Sequence, residues 1–180
     1  MRVLIDACVL YPTVMREVLL GVAQKGLFEP LWSARIMEEW ARAAARLGDG
    51  FEDVARGEIA LLNARWPQAA VSYPAELEDR LYLPDPNDTH VLAAAISGKA
   101  DVLLTMNLKD FPTRIVSENG VVRRDPDGIL REMFQENQDV VGQVAEDVRQ
   151  MAEQISGQPQ DMRKLMKKAR LPRLAKALTV

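Results

Sequence analysis

Apolar positions set the organisation of this chain. Val3-Leu4-Ile5 is an unbroken apolar run, and Ala7-Cys8-Val9-Leu10 continues it on the far side of Asp6. A segment apolar at every position predicts a strand buried on both faces, as in a parallel sheet. Past Pro12, residues Val14, Val18, Leu19, Val22 and Ala23 fall at helical spacing, and Gly26 ends the pattern. Residues 27–32 are short and apolar around Pro30, which predicts a second strand kinked or placed at an edge by the proline. Ser33 can cap the next helix, which carries Ile36, Glu39, Trp40 and the alanines 43–45. A further helix spans 50–66 and stops at Pro67, and residues 70–73 form a possible short strand. Asp88 opens a strongly apolar helix through 91–96, ended by Gly98. Residues 102–105 predict a buried strand, and 114–117 a second short strand after Phe111-Pro112. Strands alternating with helices predict an α/β fold with a parallel sheet covered on both faces.

Past residue 125 the pattern becomes helical only. Asp127 can cap a helix over 128–135. Val141, Val144, Ala145, Val148, Met151, Ala152 and Ile155 trace one apolar stripe, and Gly157-Gln158-Pro159 breaks it. Met162, Leu165, Met166 and Ala169 stripe a basic helix broken at Pro172, with Leu174, Ala177 and Leu178 beyond. The expected division is therefore an α/β domain over 1–130 and a helical extension over 131–180. The stripes of that extension must bury against the α/β body, a second copy of the chain, or a partner.

Composition narrows the class. Of 180 residues 48% are hydrophobic, enough for a real core, so a folded chain is expected rather than a disordered one. No apolar run approaches the ~20 residues of a membrane span, so no membrane partner is expected. Met1 enters a strand at once, with no basic region or small-residue cleavage site, so no secretory signal is expected. A single cysteine makes no internal disulfide and fits a reducing cytoplasm. Cys8 and His90 are too few for a Cys/His zinc site, so any metal here is a hard ion held by carboxylates, such as magnesium or manganese. The net charge of -3 hides an asymmetry: residues 132–153 carry six acids and one base, and residues 161–180 carry seven bases and one acid. The basic tail is a candidate contact for nucleic acid or an acidic partner, or simply a solvated helical face.

Candidate chemistry lies at the ends of elements. Asp6 closes the first strand, where a carboxylate loses hydration unless a cation or donors compensate. It is either a paired structural acid or the first ligand of an active site. Glu39 lies in the helix after strand two, Asp85-Pro86-Asn87-Asp88 at the mouth of the apolar helix, and Asn107-Leu108-Lys109-Asp110 after the strand ending in Thr105. If the first and fourth strands are neighbours, Asp6 and the 107–110 loop converge, because adjacent strands lie ~5 Å apart. Carboxylates gathered there stay ionised only with cations between them, and divalent ions can then drive phosphodiester cleavage without a histidine or serine nucleophile. Each residue also has an ordinary structural explanation. Asp88 is a good helix N-cap, Glu39 could be a solvated helix residue, Asp110 a turn former and Asn107 a loop hydrogen bonder. His90 is more in keeping with core or rim than with a ligand, and Cys8 with a small packed hydrophobe than with a nucleophile.

The ordered set resembles the PIN-domain family of metal-dependent ribonucleases, and within it the VapC-like toxins of prokaryotic toxin–antitoxin pairs. The carrying residues are Val3-Leu4-Ile5-Asp6-Ala7-Cys8-Val9-Leu10, the helix Ser33-Ala34-Arg35-Ile36-Met37-Glu38-Glu39-Trp40, the segment Asp85-Pro86-Asn87-Asp88 before an alanine-rich helix, and Ala100-Asp101-Val102-Leu103-Leu104-Thr105-Met106-Asn107-Leu108-Lys109-Asp110-Phe111. The likeness covers roughly residues 1–130 and singles out Glu39 over Glu38. It implies a three-layer α/β/α fold with a parallel sheet of four or five strands, and Mg2+- or Mn2+-dependent endonucleolytic cleavage of RNA by metal-activated water. It implies that Asp6, Glu39, Asp88 and Asp110 are catalytic and hold the metal, with Asn107 assisting. Ser33 and Thr105 would orient water or phosphate, and Asp85 would support the site. It also implies a homodimer held inactive by a small cognate antitoxin whose tail enters the acidic groove. One departure stands out: Asn107 occupies a position where many members carry Asp, so Asp110 is the only acid of that loop.

Two other classes fit the residues less well. A phospho-acceptor receiver would use Thr105 and Lys109, but needs paired acids after strand one and an acceptor Asp on a middle strand. A haloacid-type phosphatase needs Asp-x-Asp after strand one, where this chain has Cys8. The alternative within the same fold is a catalytically weak or inactive PIN-like scaffold that binds RNA or protein.

Overall fold

The structure is a computed structural model that describes residues 1–179. In chain order, β1 (Arg2–Ile5) leads into a one-turn helix α1 (Ala7–Leu10), then α2 (Thr13–Gln24), β2 (Glu29–Ser33), α3 (Ala34–Ala45), α4 (Phe51–Arg65), β3 (Ala70–Val71) and α5 (Ala75–Asp79). A 3-10 turn (Pro86–Asp88) opens α6 (Thr89–Ser97), followed by β4 (Val102–Leu104), α7 (Thr113–Glu118) and β5 (Val122–Arg124). The remaining helices are α8 (Pro126–Glu136), α9 (Gln138–Ser156), α10 (Met162–Lys168) and α11 (Pro172–Ala177). Among the described residues no helix is long and apolar enough to cross a membrane. The chain forms two compact units: residues 1–11 with 29–124, and residues 12–28 with the chain from 125 onward.

The first unit holds a five-stranded sheet, all parallel, in the order β3-β2-β1-β4-β5, flanked by helices. Val3, Leu4 and Ile5 are fully buried, as are Leu103 and Leu104, so the central strands are the continuous apolar runs of the sequence. The strand order reverses direction between β1 and β4. In open α/β sheets such a switch point leaves a crevice outside the carboxyl ends of the strands. Ile5 is in register with Leu104, so the residues that follow, Asp6 and Thr105, leave the sheet side by side at that crevice.

Pro30 lies within β2, which has neighbours on both sides. The ladder tolerates it because the β3 pairing is confined to Trp32 and Ser33. Glu29 N–H donates to Met1 O toward β1 and Trp32 N–H to Ala69 O toward β3. The missing N–H of Pro30 thus falls where no strand asks for it.

Two local expectations are corrected. Residues 114–117 are not a strand but part of α7, which Pro112 precedes and Gly120, at φ +76°, follows. The fifth strand is β5, and its Arg123 and Arg124 suit the exposed edge of a sheet. Likewise Asp127 does not cap α8. Asp125 does, accepting from Gly128 N–H at 2.9 Å with Pro126 at the first helical position. Asp127 instead accepts the N–H groups of Arg173 and Leu174 at 2.9–3.1 Å and so caps α11.

In the second unit α9 packs on α2, α8 and α10, and α8 also packs on α11. The α9 stripe is buried at Val141, Val144, Ala145 and Val148 and exposed at Met151 and Ile155. Gly21 sets the approach of α2 to α9: a Cβ there would lie 2.6 Å from Val144 Cγ1.

Candidate metal centre

Asp6 occupies the position after β1 with only 7% of its surface exposed and no cation beside it among the described residues. Donors compensate instead. Thr105 Oγ1–H donates to Asp6 Oδ2 at 2.6 Å, and the Cys8 thiol donates to the same oxygen at 3.1 Å. Thr105 in turn accepts Asn107 N–H at 2.9 Å, so its fully buried hydroxyl is committed in both directions. Burial, with the Asp6 charge next to it, pushes the Cys8 thiol up to about 12. Cys8 is therefore a packed, protonated donor and no nucleophile.

Asp88 sits at the centre of the acids. It stands at the N-terminus of α6, yet its side chain makes no capping bond. That task falls to Asp85, which accepts Asn87 N–H at 2.9 Å and opens the 3-10 turn. Among the described residues, Asp88 Oδ2 accepts only from the Asn107 amide, at 3.1 Å. Carboxylate oxygens of Asp85, Asp88 and Asp110 lie within 4.8 Å of one another. Burial, then the charges of Asp6, Asp85, Asp110 and Glu39, raise the Asp88 carboxyl from 3.8 to about 6. A carboxyl crowded by like charges in this way is relieved when a cation sits among them.

Glu39 is brought in by α3. Ser33 Oγ accepts Ile36 N–H at 3.2 Å and fixes the start of this helix, as the sequence predicts for its capping role. Of the two adjacent acids, Glu38 is bound by Arg42 and Arg56, which hold it near 2. Glu39 is free of that network. Its Oε1 lies 2.7 Å from Nε2 of His90, a fully buried residue of α6, off the line of an N–H bond. His90 Nδ1 has no hydrogen-bond partner among the described residues.

Asp6, Glu39, Asp88 and Asn107 line one cavity of about 460 Å³, together with Cys8, Tyr11, Arg42 and Arg46. Asp110 is not among its walls but joins through the Asp85–Asp88–Asp110 cluster. Its loop is anchored by fully buried Phe111 and by Arg123 of β5, whose Nη1–H groups donate to Leu108 O at 2.6 Å and Phe111 O at 2.8 Å. The donors are all oxygens, and most carry charge. That set fits a hard divalent ion such as Mg2+ or Mn2+, with Asp88 central.

Sequence reasoning missed several contributors. Arg42 and Arg46 share the helical face of Glu39, a spacing of three and seven residues that could have exposed them as a basic rim. The Arg123 clamp had no sequence signal, because it depends on which strands are neighbours, whereas the Cys8 thiol bond to Asp6 is local, two residues along the chain.

Fold and site together define an α/β domain whose strand-end crevice gathers acids able to hold a divalent cation. A profile of the PIN domain matches residues 2–109, a span that includes Asp6, Glu39, Asp88 and Asn107. The chain belongs to the PIN-domain family, whose members are generally metal-dependent nucleases and whose nucleases bind RNA. No significant match to the chain is found among curated proteins or among solved structures.

Proposed function

We propose that this protein is a Mg2+- or Mn2+-dependent endoribonuclease, the toxin of a type II toxin–antitoxin pair, with its nuclease chemistry in residues 1–130 and a helical extension over 131–180. The observation that carries the reading is the convergence of Asp6, Glu39, Asp88 and Asn107 on one cavity, with carboxylate oxygens of Asp85, Asp88 and Asp110 within 4.8 Å of one another. Asp6, Glu39, Asp88 and Asp110 are assigned as metal-holding catalytic residues, with the Asn107 amide oxygen as a neutral ligand. A divalent ion held there would lower the pKa of water and neutralise charge building on a phosphodiester. Thr105 and Cys8 keep Asp6 oriented, and Asp85 supports the Asp88 turn. Ser33 holds the start of α3 and thereby the height of Glu39. Arg42 and Arg46 offer guanidinium groups at the rim to the phosphates that flank the cut.

An acidic pocket that suits a metal also suits a basic side chain. This supports inhibition by a cognate antitoxin whose cationic tail enters it. The homodimer and cytoplasmic setting of such toxins are part of the same proposal. The rival reading, a weakly active or inactive scaffold, is favoured by one feature: Asn107 brings no charge and spends its amide N–H on Asp88.

The test is RNA cleavage by the full chain across a Mg2+ and Mn2+ titration, beside Asp6→Asn. Cleavage that needs the metal and vanishes in the variant supports the nuclease. Cleavage undiminished in Asp6→Asn refutes the assignment, and a folded wild type inert at every metal concentration selects the scaffold.

A further inference from the structure

Outside the matched PIN region, the helical unit carries a second concavity, of about 380 Å³. Arg131, Phe134, Gln135 and Gln138 line one side, and Arg173 and Lys176 of α11 the other. Arg131, Phe134 and Gln135 share one face of α8, and Gln138 opens α9. Three cations and no carboxylate line the groove. Arg173 is partly neutralised, 3.8 Å from Asp125 and 3.7 Å from Asp127. Exposed Arg131 and Lys176 have no acidic partner among the described residues. Residues 161–180 carry seven bases against one acid, Arg173 and Lys176 among the seven.

We propose that this groove is a binding site for single-stranded RNA. Arg131 and Lys176 contact phosphates, the half-buried Phe134 ring offers a stacking face to a base, and the two glutamine amides present both donors and acceptors to base edges. A cationic channel with an aromatic platform is how sequence-tolerant single-strand binding is built. An acidic protein segment fits less well. It would gain from the cations and the amide N–H groups of Gln135 and Gln138, but it has no use for an aromatic face. The inference rests on the reading of the chain as an RNA enzyme but uses none of its carboxylates.

The experiment is fluorescence anisotropy of a labelled single-stranded RNA with the full chain, in EDTA, over a salt series. Arg131→Gln with Lys176→Gln should weaken binding and flatten the dependence of log K on log salt by about 1.4, ~0.7 for each phosphate no longer neutralised. Phe134→Leu should weaken binding roughly tenfold with the slope unchanged, and Phe134→Tyr should restore it. Equal melting temperatures for the charge variants exclude misfolding as the cause. An unchanged slope in the double variant overturns the proposal, as does tighter binding of an acidic peptide that displaces the RNA from the same residues. Because no metal is present, failure of the nuclease reading would appear only in the cleavage assay and leaves this result standing.

Discussion

Thr105 and Asp6 leave adjacent parallel strands in register and are joined by a 2.6 Å hydrogen bond. The bond ties the two sides of the sheet's switch point and is buried on both ends. Its donor is neutral and its acceptor is a carboxylate, so it belongs to the stronger, charge-assisted kind. Thr105→Val keeps the shape and removes the hydroxyl. It should cost about 2 kcal/mol of stability in urea unfolding without metal, since Asp6 then keeps only the weak thiol donor. A change below about 0.5 kcal/mol would show that Asp6 is held by something else.

His90 bears on Glu39 by close contact and not by a hydrogen bond. A fully buried imidazole whose Nε2 lies 2.7 Å from a carboxylate limits where that carboxylate can swing. Groups that orient a metal-holding side chain are worth about 10–100-fold in metal affinity. His90→Leu should therefore weaken Mn2+ binding by about that factor in calorimetry while leaving the melting temperature of the metal-free protein unchanged or higher. His90→Gln should recover part of the affinity. Full Mn2+ affinity in His90→Leu would make His90 a core residue and nothing more.

The raised Asp88 carboxyl gives the metal-free protein a pH dependence of defined sign. The folded chain holds this proton up to about pH 6, the unfolded chain only to about its ordinary 3.8. Between those values the folded state binds more protons, so stability falls as pH rises, and it is greatest where both states are protonated. The half-buried carboxyl is screened by solvent, so the effect is about 1–2 kcal/mol. Metal binding runs the other way, weakening by up to about tenfold per pH unit below about 6 as protons compete. Urea unfolding from pH 7 to 4, with and without Mn2+, checks both signs. Metal-free stability that rises with pH over this range relative to Asp88→Asn, a comparison in which the depressed Glu38 and Glu146 carboxyls cancel, would contradict the electrostatic account.

In the helical unit Asp127 accepts three backbone N–H contacts from Arg173 and Leu174 at the start of α11. Asp127→Ala should cost about 1–2 kcal/mol and fray α11, seen as faster amide exchange at Arg173 to Lys176. Faster exchange confined to the start of α8 would return Asp127 to the role expected from sequence.

How much was legible follows from what each residue depends on. The β1 and β4 runs were readable because both faces are buried, so every position is apolar. Ser33 was readable because a cap is a local bond. The α7 error came from Ile115-Val116, two apolar residues that fit either period. The helical signals around them were Pro112, the Arg114–Glu118 pair at 2.8 Å and Gly120. The true edge strand hid behind Arg123-Arg124. At the α8 entry the dipeptide Asp125-Pro126 carried the cap signal, whereas the partner of Asp127 is 46 residues away and no local pattern could name it. At the site, the acids were visible as residues at element ends. What joins them, the strand order and the Thr105 hydroxyl on Asp6, is tertiary.

Metal binding to the full chain, wild type against Asp88→Asn, probes the acidic centre most directly. Calorimetric titration with Mn2+ at pH 7.5 should show saturable binding to wild type, weaker by about tenfold or more in Asp88→Asn, whose metal-free form should melt higher because the crowded charge is gone. Equal Mn2+ affinity in the two proteins, or a variant that melts lower without metal, would contradict a cation site centred on Asp88.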